Sequence, residues 1–159
     1  MTSAADLTAP PASDPGSIHR RPVASYRADL VTTLLGAWFT VGLFLDAWAH
    51  NNVPNLETFF TPWHAVFYSG FIATAGWIAW TIRGAWQPDR RGVAAMPIGY
   101  ASAAVAIAGF AVAGVGDGIW HTVFGIEQSI NILFSPTHLG LITSMLVIVT
   151  TPVREGRDG

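Results

Sequence analysis

Hydrophobic residues in this chain form four long, continuous runs that neither alternate with polar residues nor follow a single helical face. The runs cover Leu30–Ala49, Phe59–Ile82, Val93–Gly116 and Phe134–Val153. Each run has about the 20 residues that an α-helix needs to cross the hydrocarbon core of a bilayer. Continuous runs of this length argue against β-strands. The pattern therefore predicts an all-α, polytopic membrane protein with four transmembrane helices.

The residues outside the runs are expected to form tails. Residues 1–28 are rich in Ala, Pro, Ser and Asp, and such a segment buries too little apolar surface to offset the entropy lost on ordering. We therefore expect a disordered N-terminal tail over residues 1–28, a transmembrane domain over 29–153 and a short C-terminal tail over 154–159. No apolar core of a signal peptide precedes residue 30, so no cleaved leader is expected.

The composition supports a membrane protein and excludes several other classes. Hydrophobic residues make up 51% of the chain and charged residues only 11%, whereas a soluble domain carries about 25% charged residues. The formal net charge of −2 provides no broad basic face, so a nucleic-acid partner is not expected. The chain has no cysteine, which excludes disulfides, thiolate metal sites, cysteine nucleophiles and thioether-attached haem.

The arginines give the predicted helices an orientation. Basic residues are enriched in the cytoplasmic connections of membrane proteins. Here they lie before the first run, between the second and third runs, and after the fourth: Arg20, Arg21, Arg27, Arg83, Arg90, Arg91, Arg154 and Arg157. We therefore expect both termini on the cytoplasmic side of a bacterial-type inner or plasma membrane.

Acidic residues and histidines collect on the opposite, outward side, in two copies of one pattern. Such a cluster repels itself unless something positive lies within it. The two copies predict a duplicated two-helix hairpin, with repeats over about 29–83 and 92–153 related by an axis along the membrane normal. The pattern comprises D-A-W-A-H (46–50), Glu57 and T-P-W-H (61–64), then D-G-I-W-H (117–121), Glu127 and S-P-T-H (135–138).

The spacing within each copy predicts a metal site. Asp46 and His50 are four residues apart, so they share one face of a helix. His64 begins the next, antiparallel helix at a similar depth. Two imidazoles with one carboxylate suit a transition metal such as copper, zinc or iron, and three protein ligands leave one coordination position open. The second half repeats the set with Asp117, His121 and His138.

Other interpretations of these residues stay open at the level of sequence. Glu57 and Glu127 could each orient a ligating imidazole or add a fourth ligand, or they could be solvated loop acids. The Asp and His pairs could be plain ion pairs at helix ends. A single histidine within a membrane helix could simply be a hydrogen-bonded packing residue.

At these residues the chain resembles the C subunit of the particulate methane and ammonia monooxygenases. That subunit carries an Asp, a His four residues later, and a second His about a dozen residues on within an F-T-P-x-H-type stretch. D-A-W-A-H (46–50) with F-F-T-P-W-H-A-V-F-Y (59–68) looks like this pattern. D-G-I-W-H-T (117–122) with F-S-P-T-H-L (134–139) looks like a second copy.

The resemblance implies a copper site near the outer membrane face. Within the first copy, the residues that match the family ligands are Asp46, His50 and His64. By the same motif, the matching residues of the second copy are Asp117, His121 and His138. The family subunit works in a complex with two others, so the resemblance also implies partner subunits.

We therefore predict an integral membrane metal-binding protein, with copper as the expected ion and zinc or iron as alternatives. It would handle copper or form one subunit of a monooxygenase-like complex, and its chemistry as an enzyme would be that of a copper-dependent oxidoreductase. One alternative is a small cation or proton transporter or channel with an acidic and histidine-rich outer vestibule. Others are a b-type haem protein and a structural subunit. The expected partners are the lipid bilayer and further membrane subunits, in a homo- or hetero-oligomer.

Overall fold

A computed structural model of the chain describes residues 21–53, 60–89, 91–125 and 134–158. The described part is all-α, with a single turn of 3₁₀-helix between the second and third helices, over Gly92–Ala95. Most of the predicted N-terminal tail lies outside the described residues. The five α-helices are α1 Tyr26–Asn52, α2 Pro62–Gly84, α3 Ile98–Phe124, α4 Pro136–Val149 and α5 Thr151–Asp158.

Three of these helices, α1, α2 and α3, are long and apolar enough to cross a bilayer. Helices α4 and α5 make a fourth such segment if the two are counted as one bent span. Large apolar side chains point away from the bundle, and Phe44 on α1 and Trp80 on α2 are 70% and 69% exposed. An exposed apolar surface of this kind is suited to contact with lipid.

Hydroxyl residues begin three of the helices, in the way that the sequence favours. Ser25, Thr61 and Ser135 lie just before α1, α2 and α4, and each side-chain oxygen accepts a hydrogen bond from a backbone N–H in the first turn. Such caps satisfy amides that have no partner within the helix. Pro62 and Pro136 occupy the first helical positions, where the missing N–H of proline costs least.

The fourth apolar run, over 134–153, is interrupted by a bend. Helices α4 and α5 meet at Thr150 with a bend of 45°. Pro152 explains the bend, because its nitrogen cannot donate to the carbonyl of Ile148 and its ring crowds that carbonyl. The hydroxyl of Thr151 bonds the Ile148 carbonyl instead, at 2.7 Å. Residues 154–158, predicted as part of a tail, belong to α5.

The third helix begins later and ends later than its apolar run. The run was predicted to start at Val93, but α3 begins at Ile98, directly after Pro97. It then continues to Phe124, eight residues beyond Gly116. Both Asp117 and His121 therefore lie inside one continuous helix, as their four-residue spacing requires.

Helix α1 packs mainly against α2, and α3 packs mainly against α4. The first pair approaches closely because two glycines face the backbone of the other helix. A Cβ atom at Gly42 would lie 2.7 Å from Cα of Phe67, and one at Gly70 would lie 2.7 Å from Cα of Phe39. Only glycine allows backbones to come this near.

An aromatic cluster joins the two helix pairs. The rings of Phe39, Phe67 and Phe110, from α1, α2 and α3, have centroids 5.1 to 5.7 Å apart, and all three are buried. Phe71 stacks on Phe110 at 4.3 Å. The cluster lies about one helical turn from His64. It therefore forms a layer of packed aromatic rings next to the region that contains the histidines.

A buried carboxylate organises the other end of the bundle. Glu155 on α5 is 1% exposed, and its two oxygens accept hydrogen bonds from the backbone N–H of Ala24 at 2.7 Å and of Gly99 at 2.8 Å. The first precedes α1 and the second lies in the first turn of α3. We call this the arginine end and the opposite end the histidine end, after the residues that each carries: Arg21, Arg27, Arg83, Arg91 and Arg154, and His50, His64, His121 and His138.

Candidate metal centre

The first predicted ligand set comes together at the histidine end. We call Asp46, His50 and His64 group 1. The two carboxylate oxygens of Asp46 approach one ring each, with Oδ2 at 3.7 Å from Nε2 of His50 and Oδ1 at 3.5 Å from Nδ1 of His64. One ligand atom from each of the three residues lies within 4.8 Å of the others, so the group could hold a metal ion.

The second predicted set forms an arrangement of the same kind. We call Asp117, His121 and His138 group 2. Oδ2 of Asp117 lies 3.6 Å from Nε2 of His121, and its Oδ1 lies 3.5 Å from Nδ1 of His138. Their ligand atoms also lie within 4.8 Å of one another. All six candidate ligands are therefore gathered into two groups, as the repeated spacing predicts.

The two groups face each other across the bundle. The ring of His50 from α1 stacks on the ring of His121 from α3, with centroids 6.2 Å apart and planes inclined by 20°. Asp46 and Asp117 are 8% and 1% exposed, so neither carboxylate is an ordinary surface charge. A buried ionised carboxylate is costly unless it is paired or binds a cation.

Hydroxyl groups hold the second histidine of each group. Oγ1 of Thr61 lies 3.0 Å from Nδ1 of His64, and Oγ of Ser135 lies 2.6 Å from Nδ1 of His138. In a neutral imidazole, the hydrogen bond made by one nitrogen decides which nitrogen is left to bind a metal. Thr61 and Ser135 therefore each cap the start of a helix and also orient an imidazole ring. Thr61 and Ser135 were not identified from the sequence as partners of the imidazoles.

Two buried polar atoms of group 1 could bind a cation. Among the described residues, Oδ1 of Asp46 and Nδ1 of His50 have no hydrogen-bond partner. A buried acceptor without a partner costs about 1–3 kcal/mol, and such groups in native structures usually have an ion or water beside them. The donor set of two imidazoles and a carboxylate suits a transition metal.

Tyr68 lies between the two groups and was not identified from the sequence. Its ring is stacked near that of His64, with centroids 6.2 Å apart. It lines a small cavity of about 40 Å³ together with Asp46, His64, Asp117 and His138. Since about 10–15 Å³ of such space holds one water molecule, the cavity suits ions or a few water molecules.

A larger apolar cavity adjoins the groups on the other side of Tyr68. It has a volume of about 590 Å³ and lies between α2 and α3, where Phe71, Phe110, Gly114 and Gly118 contribute to its wall. Helices α2 and α3 contact each other less extensively than the helices within either pair. The small residues on α3 leave this space open beside the histidine end.

Glu57 and Glu127, predicted as orienting residues or additional ligands, lie outside the described residues. Comparisons of the chain with known family models, curated proteins and solved structures gave no match. The class of the protein therefore follows from its own fold and from the two groups. It is an all-α chain with helices able to span a membrane and two Asp/His/His groups able to hold metal ions.

Proposed function

We propose that this chain is an integral membrane protein that binds transition-metal ions, with copper as the resident ion, at both groups of the histidine end. The observation that carries the proposal is the convergence of one carboxylate and two imidazoles within 4.8 Å, twice, with four of the six residues buried and the other two partly buried. Exposed acidic residues often lie close together by chance, but two largely buried sets of the same composition at the same end of a bundle indicate a shared function.

The ligand chemistry favours copper over the abundant hard cations. Calcium and magnesium prefer oxygen ligands, whereas four of the six side chains here are imidazoles. Copper(II) is bound most tightly of the divalent first-row metals by a given site of nitrogen and oxygen ligands. The motif resemblance to the monooxygenase C subunit supports the same ion. When bound, copper supplies one-electron redox and oxygen chemistry.

The surroundings favour a resident ion over a transported one. The cluster of Phe39, Phe67 and Phe110 lies beneath both groups and contains no polar atom. A transport path for protons or cations needs polar or ionisable groups along it. The cavity of about 590 Å³ beside Tyr68 instead gives an apolar molecule access to the neighbourhood of the groups, which fits the monooxygenase-like version of the proposal.

We also propose how the protein is oriented in the membrane and that its two halves arose by duplication. The arginine end faces the cytoplasm and the histidine end faces outward, as the positive-inside rule favours. The pairs α1/α2 and α3/α4 are copies of one hairpin. Support for the duplication comes from the matched geometry, because the four Asp-to-His distances are 3.7 and 3.5 Å in group 1 and 3.6 and 3.5 Å in group 2.

Metal analysis of the detergent-purified protein tests the proposal. We expect two equivalents of copper in the wild-type chain and one in the Asp46→Ala and His64→Ala variants. The double variant Asp46→Ala with Asp117→Ala should retain none. His19→Ala is the matched control, because His19 is the one histidine outside the groups. Wild-type protein without a transition metal, or a double variant that retains both equivalents, would contradict the proposal.

A further inference from the structure

The two motifs differ at several positions, and one of these lies directly before the second histidine of each group. The residue between the proline and the second histidine is Trp63 in the first copy and Thr137 in the second. Trp63 packs edge-on against Trp48, with ring centroids 5.8 Å apart, and offers Asp46 no hydroxyl. The residue at this position therefore carries a hydroxyl group in group 2 but not in group 1.

In group 2, Thr137 holds the carboxylate. Its hydroxyl donates a hydrogen bond of 2.9 Å to Oδ1 of Asp117. The same hydroxyl oxygen lies 3.1 Å from Oγ of Ser135, which in turn contacts Nδ1 of His138. Two candidate ligands of group 2 are thus tied into one short network of hydroxyl groups on the first turn of α4.

In group 1, only the histidine is held in this way. Thr61 contacts the ring of His64, but among the described residues Oδ1 of Asp46 accepts no hydrogen bond. Asp46 is also the more exposed residue, at 8% against 1% for Asp117. An ion entering group 1 must therefore fix the orientation of the carboxylate that it binds.

We infer that the two groups are unequal metal sites and that Thr137 is the positioning residue that makes group 2 the tighter one. This rests on the proposed function. Hydrogen bonds that orient ligating side chains raise metal affinity by about 10- to 100-fold. Because Oδ1 of Asp117 is engaged by Thr137, group 2 binds its ion mainly through Oδ2, whereas both oxygens of Asp46 are available in group 1. The two ions therefore differ in coordination as well as in affinity.

Stepwise titration of the metal-stripped, detergent-purified chain with copper(II), followed by electron paramagnetic resonance, tests the inference. The wild type should fill in two steps with two distinct signals. Asp117→Ala should remove the tighter step and Asp46→Ala the weaker one. Thr137→Val should weaken the tighter step by about 10- to 100-fold and change only its signal, and Thr137→Ser should restore both affinity and signal.

Thr122→Val is the matched control, because Thr122 lies on α3 near group 2 but, within the part of the chain that the structure describes, its hydroxyl bonds only the carbonyl of Gly118, at 2.7 Å. The reciprocal variant Trp63→Thr should strengthen the weaker step. Two equal steps in the wild type, or a Thr137→Val protein with both steps unchanged, would overturn the inference while two bound equivalents leave the proposed function standing. A wild-type chain that binds no copper overturns both.

Discussion

Single side chains at the arginine end hold several helices at once, and Glu155 is the clearest case. Its carboxylate accepts hydrogen bonds from Ala24 before α1 and from Gly99 at the start of α3. Because both amides lie at helix starts, neither has a partner within its own helix. One residue of the short α5 thereby bonds the backbone at the start of two other helices.

Replacing Glu155 should destabilise the protein. In Glu155→Ala the two amide groups lose their acceptors, and each unsatisfied buried group costs about 1–3 kcal/mol. We expect the free energy of unfolding to fall by about 2–6 kcal/mol on this basis, seen as a lower thermal midpoint by circular dichroism in detergent. Arg157→Ala on the exposed side of α5 is the control. An unchanged midpoint in Glu155→Ala would show that water replaces the carboxylate without penalty.

The candidate ligands could be predicted from the sequence, but the side chains that support them could not. Asp46 and His50 share a helical face by their spacing alone, so their approach follows from helical geometry. The bonds from Thr61, Ser135 and Thr137 depend on rotamers and on the depth of the neighbouring helix. A Ser or Thr before proline predicts a helix cap, and nothing in the local pattern distinguishes a cap that also touches an imidazole.

Close contact between α1 and α2 is the element-scale feature on which group 1 depends. Gly42 and Gly70 let the two backbones meet, and Asp46 and His64 lie one to two turns from the crossing, towards the histidine end. The distance between the two helices there sets the distance between the carboxylate and the second imidazole.

Gly70→Ala should disrupt this crossing, because the new Cβ would lie 2.7 Å from Cα and 3.0 Å from N of Phe39. Overpacking of this kind costs about 1–3 kcal/mol, and we expect a lower thermal midpoint together with weaker copper binding to group 1. Gly76→Ala on the same helix is the matched control, since no atom lies within 4 Å of its added Cβ. Equal behaviour of the two variants would rule out the proposed dependence.

The presence of the helices could be predicted, whereas two of their boundaries could not. Apolar runs locate α1 and α2 because hydrophobicity is what places a segment in lipid. The run over 134–153 continues across Pro152, where the backbone loses a hydrogen bond although the side chains remain apolar. Pro97 likewise delays α3 within its run. Hydrophobicity reports the environment of a segment, while proline governs the continuity of its hydrogen bonds.

At the scale of the whole molecule, the proposed orientation separates the arginines from the metal groups across the membrane. The absence of cysteine makes single cysteines clean reporters of this topology. We expect Arg91→Cys and Arg157→Cys, both exposed positions, to be labelled by a membrane-impermeant maleimide only after the cells are opened. Asn52→Cys at the histidine end should be labelled in intact cells. The reverse pattern would place the metal groups inside.

The stacking of His50 on His121 is the point where the two helix pairs meet at the histidine end. Each pair carries a full set of ligands of its own, so neither group borrows a side chain from the other half. A chain severed in the connection between Gly84 and Gly92 would therefore yield two fragments, each equipped to load one ion before they associate. Reassembly would then set only the distance between the two groups. Under the proposed duplication, a single hairpin that docked with a copy of itself would already have carried two such sets of candidate ligands.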